Sequence, residues 1–241
     1  MTRRIAGGGD VLILCDHASN VVPEDIDLGI KPVLLDKHIA IDIGAGAVSE
    51  ALAAHLGATA LLATVSRLVI DLNREVDSPG LIPMVSDGHD IPGNMRAERS
   101  ARIARFHAPY HAAITSQIRT SGPRLLVSVH SFTPRLENAP GPERPWELGI
   151  LYNRDARGAA IAINKLRAKG VVTGDNEPYS GRVLNATMNR HAEANGIPYI
   201  GIEIRNDLIG GPAGVAHWAE IIADIVSKVR DHLASQGAGA T

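Results

Sequence analysis

"VLILCDHASN", residues 11 to 20, is an aliphatic run that stops at an aspartate and a histidine. From Val11 to Cys15 there is no polar alternation. A strand of that kind is covered on both faces, as in a parallel sheet. The same pattern recurs at Leu125 to Val129, Leu148 to Tyr152 and Tyr199 to Ile204. Thr59 to Ile70 reads as another strand, interrupted near Ser66, and Val171 with Val172 as a short one. Between them lie helix-prone stretches: Pro32 to Leu56 closed by Gly57, Arg96 to Thr120, and Ala156 to Lys169. Leu184 to Asn195, capped by Gly196, and Gly214 to Ser235 complete the set. Strands alternating with helices predict a single α/β domain over residues 1–241, a doubly wound, mostly parallel sheet flanked by helices. The small-residue tail, 236–241, is expected to be disordered.

Composition narrows the function classes. Of the 241 residues 45% are hydrophobic but only 3% aromatic, so the core is aliphatic and base-stacking platforms are not expected. A net charge of -2 gives no general attraction to nucleic acid or to an anionic membrane. No stretch approaches the roughly 20 apolar residues of a membrane span. Gly7 to Asp10 interrupts the N-terminal run, so no signal peptide is read and a cytoplasmic location is expected. Cys15 is the single cysteine, which excludes an internal disulfide and a CxxC metal knuckle. It reads as a buried small hydrophobe.

Chemistry collects at the strand ends, where open α/β sheets bind ligands. Asp16, His17 and Ser19 follow the first strand, and Asp71, Asn73 and Arg74 the second. His130 and Ser131 follow the central strand, while Glu203, Arg205 and Asn206 end the late one. Two such histidines, His17 and His130, could face one divalent metal. Two imidazoles with a carboxylate and one open position for water suit zinc best. Such an ion lowers the pKa of water to about 7 and polarises a carbonyl. Glu203 lies in the run "YIGIEI", where a carboxylate is costly to bury without a role. It reads as the group that takes a proton and passes it to a leaving amine. Arg67 or Arg74 could pair with a substrate carboxylate, with Ser131 and Arg205 as further substrate contacts. Two long irregular segments, Asp77 to Gly93 and Pro134 to Pro145, are of the sort that serves a site.

Other motifs read more plainly. His107 and His111 share a helical face at a spacing that also suits a metal, but "HAPYH" lacks the Glu of HExxH. Packing or supporting roles are preferred for both. Arg96, Arg99, Arg102 and Arg105 read as a solvated helix face. "GAGAVS" at 44–49 lacks the third glycine of a dinucleotide loop, and "VHS" is no GxSxG elbow.

The segments "CDHAS", "HIAIDIGA", "SRLVIDLNR", "FHAPYH", "VHSF" and "GIEIRND" occur in this order over roughly residues 10 to 210. The series resembles the N-formylglutamate amidohydrolase family, which is similar in fold and site to zinc carboxypeptidases, aspartoacylase and succinylglutamate desuccinylase. The resemblance implies a zinc-carboxypeptidase-like fold, with His17 and His130 as metal ligands and Glu203 as general base and acid. It implies Asn73 and Arg74 as carboxylate binders and Arg67 as the group that helps polarise the scissile carbonyl. The implied substrate is a small N-acyl amino acid, N-formyl-L-glutamate first, cleaved to formate and glutamate. Another acyl group, a peptide-like substrate, or a metal- or amino-acid-binding protein without turnover are the alternatives. The wider superfamily takes a third ligand from a Glu three residues after the first His, where this chain has Asn20. Asp42 is the replacement read here, with Glu24 and Asp16 as the other candidates. On one straight strand, Arg67 and Asn73 would lie about 20 Å apart at roughly 3.3 Å per residue. They serve one small substrate only if the chain bends between them.

Overall fold

The computed structural model describes residues 2–138 and 141–238. The chain enters through β1 (Thr2–Ile5), β2 (Gly8–Cys15) and β3 (Ala58–Ala63). A small hairpin of β4 (Val85–Ser86) and β5 (His89–Asp90) follows. The remaining strands are β6 (Leu125–Phe132), β7 (Leu148–Leu151), β8 (Thr173–Asp175) and β9 (Tyr199–Arg205). Apart from the hairpin they form one seven-stranded sheet, ordered β1-β3-β2-β6-β9-β7-β8. The central strands β3, β2, β6 and β9 are mutually parallel, whereas β1 and the β7–β8 pair run against their neighbours. The sheet is thus mostly parallel, as the unalternating apolar runs predict.

Among the described residues, six α-helices complete the fold: α1 (Ala45–Leu56), α2 (Arg99–Arg102), α3 (Ala108–Ser121), α4 (Arg157–Ala168), α5 (Ala186–His191) and α6 (Pro212–Ala238). A wide turn of π type, Ile103–His107, joins α2 to α3. Because side chains alternate along a strand, each central strand feeds two apolar layers. Val11, Ile13, Cys15, Val127 and Val129 pack with residues of α1, α4 and α6. Leu12, Leu14 and Leu126 pack with Phe106, Tyr110 and Ile114 and with the segment from Val65 to Ile82. Burying each such aliphatic side chain stabilises the fold by about 1.5–3 kcal/mol. No helix among the described residues is long and apolar enough to cross a membrane.

The structure corrects several expected elements. The strand read over Thr59 to Ile70 stops at Ala63. Leu68, Val69 and Ile70 are fully buried, but on a turn, and burial alone does not distinguish the two. The turn is made by Ser66, whose backbone carbonyl accepts from Val69 N while its Oγ accepts from Leu68 N and donates to the Ala40 carbonyl. A hydroxyl bends the chain where neither glycine nor proline does. Of the stretch Pro32 to Leu56, only Pro32–Asp36, a 3-10 turn, and α1 are helical. Gly44 separates them at φ 79, a left-handed conformation, and a Cβ there would fall 2.4 Å from the Ile209 carbonyl oxygen. The short strand begins at Thr173, beyond Val171 and Val172, because Thr173–Asp175 is the segment that pairs with β7. Helix α6 runs to Ala238, so the expected disordered tail is helical where it is described, and 239–241 lie outside the described residues.

Candidate metal centre and active site

The site forms where β2, β6 and β9 end on the layer that contains Leu126 and Tyr199. His130 lies within β6, not past it, and is paired in register with Glu203 of β9. Two residues back, the pair Ser128–Gly201 puts small groups on the same face. That leaves a cavity of about 360 Å³ whose walls include His17, Asp42, Arg67, Asp71, His130 and Glu203. A volume of this order suits a small molecule.

His17 leaves the end of β2, and its backbone carbonyl accepts from Asp42 N at 3.1 Å. The turn before α1 therefore delivers the Asp42 carboxylate to the histidines. His17 Nδ1 lies 3.2 Å from Asp42 Oδ2, and His130 Nδ1 lies 2.8 Å from the same oxygen. The two rings stand 5.1 Å apart between centroids. His17, Asp42 and His130 offer three buried ligand atoms within 4.8 Å of one another, a group able to hold a metal ion. Ligands about 3.3 Å apart span an ion with bonds of roughly 2.0–2.1 Å. Two imidazoles and one carboxylate are a donor set that fits a divalent ion chemically. Glu24 is exposed and outside the group, and Asn20 is used to hold Leu35 and Asp36. Asp16 stands on the far side of His130, its Oδ2 3.4 Å from Nε2.

A second ring of groups orients the first. Asp71 Oδ1 lies 2.7 Å from His17 Nε2, so the ring can give that proton to the carboxylate and turn Nδ1 toward an ion. Tyr110 donates to Asp16 Oδ1 at 2.6 Å. Arg67 donates from Nη1 to Asp42 Oδ1 and from Nη2 to Asp71 Oδ2, at 2.9 and 2.8 Å. The Ser66 turn makes this bridge possible, because it sets Arg67 and Asp71 on one side of a single turn of chain. Arg67 and Asn73 thus serve one cavity after all.

Electrostatics matches the geometry. Asp16, Asp42, Asp71 and Glu203 are all buried, and Arg67 and the partly exposed Arg74 are the guanidinium groups of the cavity wall. Burial pulls the His130 imidazole down, but the carboxylates of Asp16 and Asp42 beside it overcome this and hold the ring well above its ordinary value. His17 is raised in the same way, with Asp71 and Asp42 outweighing burial and Arg67. This excess of carboxylate is what a divalent cation would balance. Burial pushes the Glu203 carboxyl up to about 7, against the pull of His130 and with a further push from Asp42. Among the described residues, Glu203 Oε2, His130 Nε2 and Asp16 Oδ2 are buried without a hydrogen-bond partner, the last two meeting only as an ion pair at 3.4 Å. Buried polar atoms are rarely left so.

Of the remaining expected site residues, Asn73, Arg74 and Ser131 line the cavity. Asn73 accepts from Thr187 N at 3.0 Å, and Arg74 Nε lies 3.6 Å from Asp71 Oδ2. Ser131 donates its hydroxyl to the Ile43 carbonyl at 2.8 Å, which steadies the turn that carries Asp42. The structure does not bring Arg205 to the cavity. Asp207, two residues on, captures its guanidinium at 2.8 Å. Asp71 has no role in the sequence reading, and Tyr179, also in the wall, was not singled out. The bridging role of Asp71, named in the sequence only as a strand-end group, follows from its position four residues after Arg67 once the bend at Ser66 is known. Tyr179 sits in an irregular segment and carries no sequence signal.

Comparison with known proteins bears on the family and the fold. The family model described as N-formylglutamate amidohydrolase matches residues 9–210. The chain is similar to the solved structure of a gene product from Agrobacterium tumefaciens, at 32% identity and a TM-score of 0.90, over 96% of this chain and 95% of that one. It is also similar in fold to an N-formylglutamate amidohydrolase from Ralstonia eutropha, at 19% identity and a TM-score of 0.68, over 98% of each chain. No curated protein matches the sequence.

Proposed function

The chain belongs to the N-formylglutamate amidohydrolase family, and we propose that it is a zinc-dependent enzyme that cleaves N-formyl-L-glutamate to formate and L-glutamate. The observation that carries this reading is the buried triangle of His17, Asp42 and His130 opening on a cavity that also holds Glu203. His17 and His130 through Nδ1, with Asp42 through Oδ2, would hold the ion, and two imidazoles with one carboxylate favour zinc. When bound, such an ion supplies Lewis acidity to the substrate carbonyl and lowers the pKa of water.

The protein's own groups do the rest. Glu203 takes a proton from the attacking water as the new carbon–oxygen bond forms at the acyl carbon. The carbon–nitrogen bond then breaks, and the same carboxyl gives its proton to the departing amine nitrogen. A buried carboxyl held above its ordinary value suits both halves of that exchange. Arg67 commits two of its five N–H donors to Asp42 and Asp71, which leaves others for the carbonyl oxygen as charge develops there. Arg74 and Asn73 receive the carboxylate of the amino acid, and Ser131 contributes by fixing the Asp42 turn. A cytoplasmic location and a small-molecule partner belong to the same proposal.

The test is a screen of N-formyl, N-acetyl and N-succinyl amino acids with the metal-loaded enzyme and its Arg74→Ala variant. Formate release from N-formyl-L-glutamate is the expected result. In Arg74→Ala, KM for that substrate should rise roughly 10- to 100-fold with metal content unchanged, the loss of one charge-assisted pair. Faster turnover of another acyl group would move the assignment to that substrate class. No turnover of any member, with metal bound, would leave a binding protein.

A further inference from the structure

Leu72 to Arg74 carries the two side chains that would bind the substrate carboxylate, yet it belongs to no helix or strand. Its carbonyls cannot be satisfied by regular structure and must find partners elsewhere. Two buried histidines outside the metal group, His107 and His111, provide them, and a third, His191, backs His111. His111 Nε2 lies 3.0 Å from the Leu72 carbonyl oxygen, and His107 Nε2 lies 3.1 Å from that of Arg74. A carbonyl oxygen only accepts, so both rings carry a proton on Nε2. In the neutral ring, His111 Nδ1 is then an acceptor. It stands 2.8 Å from His191 Nε2, which must donate.

The three rings form one packed unit. His107 and His111 are 4.2 Å apart between centroids, and His111 and His191 are stacked at 13°. Helix α5, which bears His191, holds the segment from the other side, where Thr187 N donates to Asn73 Oδ1. The loop is therefore suspended between α3 and α5, and the His111–His191 bond ties those two helices together. We propose that His107, His111 and His191 form a positioning relay that fixes Asn73 and Arg74 at the cavity and so sets the affinity for the substrate's carboxylate. The relay rests on the assignment of that carboxylate to Arg74. Burial, helped by the neighbouring His107, pushes His111 down to about 3. Burial and Arg190 push His191 down to about 4. Both rings stay neutral at ordinary pH, which keeps the direction of donation fixed.

The proposal is tested by steady-state kinetics on N-formyl-L-glutamate with His111→Leu, His111→Gln and Arg74→Ala, each metal-loaded. His111→Leu leaves the Leu72 carbonyl only the longer contact from Thr187 Oγ1, at 3.5 Å, and should raise KM by about tenfold, with kcat within about threefold and metal content unchanged. His111→Gln keeps an N–H near the position of Nε2 and should restore KM to within about threefold of the parent. An increase in Arg74→Ala without one in His111→Leu would overturn the relay alone. No increase in either would remove the carboxylate assignment and the relay with it. Failure of Gln to rescue, or a fall in kcat and metal together, would also overturn it. In case His111→Leu does not fold, long-range ¹H–¹⁵N spectra of the unmodified protein read the tautomers directly. Nε2–H on both His107 and His111 is expected, and Nδ1–H on either one contradicts the relay.

Discussion

In the Glu203→Gln variant, kcat for amide hydrolysis falls by about 10²–10⁴-fold while the ion stays bound. Glutamine has nearly the shape of glutamate, but it cannot accept and return a proton. Glu203 is not one of the three groups that converge as ligands, so the substitution leaves His17, Asp42 and His130 in place. Its buried position and its raised carboxyl, at about 7, are what a shuttle between water and amine requires. The measurement is kcat alongside metal content. A variant that retains parental kcat would take the proton transfer away from Glu203. A variant that loses metal as well would make Glu203 a ligand and leave the shuttle unassigned.

His130→Ala has the larger structural consequence. It removes one ligand and also strips two buried carboxylates, Asp42 and Asp16, of the ring between them. Removing one partner of a buried charged group typically costs about 3–5 kcal/mol, because the other charge is left uncompensated. The variant is expected to purify with little or no metal, to lose hydrolysis, and to melt at a lower temperature than the parent. Metal analysis and circular dichroism on the same sample separate ligand loss from unfolding. A folded His130→Ala protein with parental metal content would refute the ligand assignment.

Much of the site was legible in the sequence because parallel strands announce themselves. Largely apolar runs marked β2, β6 and β9, and the polar residues in or just after their last few positions fell on one rim. His17, His130 and Glu203 could be read from that placement, and Asp42 came only with the family resemblance. The roles of Arg67 and Asp71 depend on a bend that an apolar triplet conceals. Leu68, Val69 and Ile70 look like strand, and only the hydrogen bonds of Ser66 show that they turn. Arg205, expected as a substrate contact, is held instead by an aspartate two residues later and is not part of the cavity wall. The pair His107 and His111 had a spacing compatible with metal binding, and preference for a supporting role agrees with where they lie. What they support, a stretch of carbonyls about 35 residues earlier in the chain, has no signature in sequence.

The claim on which the chemistry depends is that two imidazoles and one carboxylate share a single ion. Anomalous diffraction at the zinc edge, on crystals of the zinc-loaded protein, tests it without reference to activity. One peak is predicted within about 2.0–2.2 Å of His17 Nδ1, Asp42 Oδ2 and His130 Nδ1. A zinc peak at other residues, with none at this triangle, would contradict it.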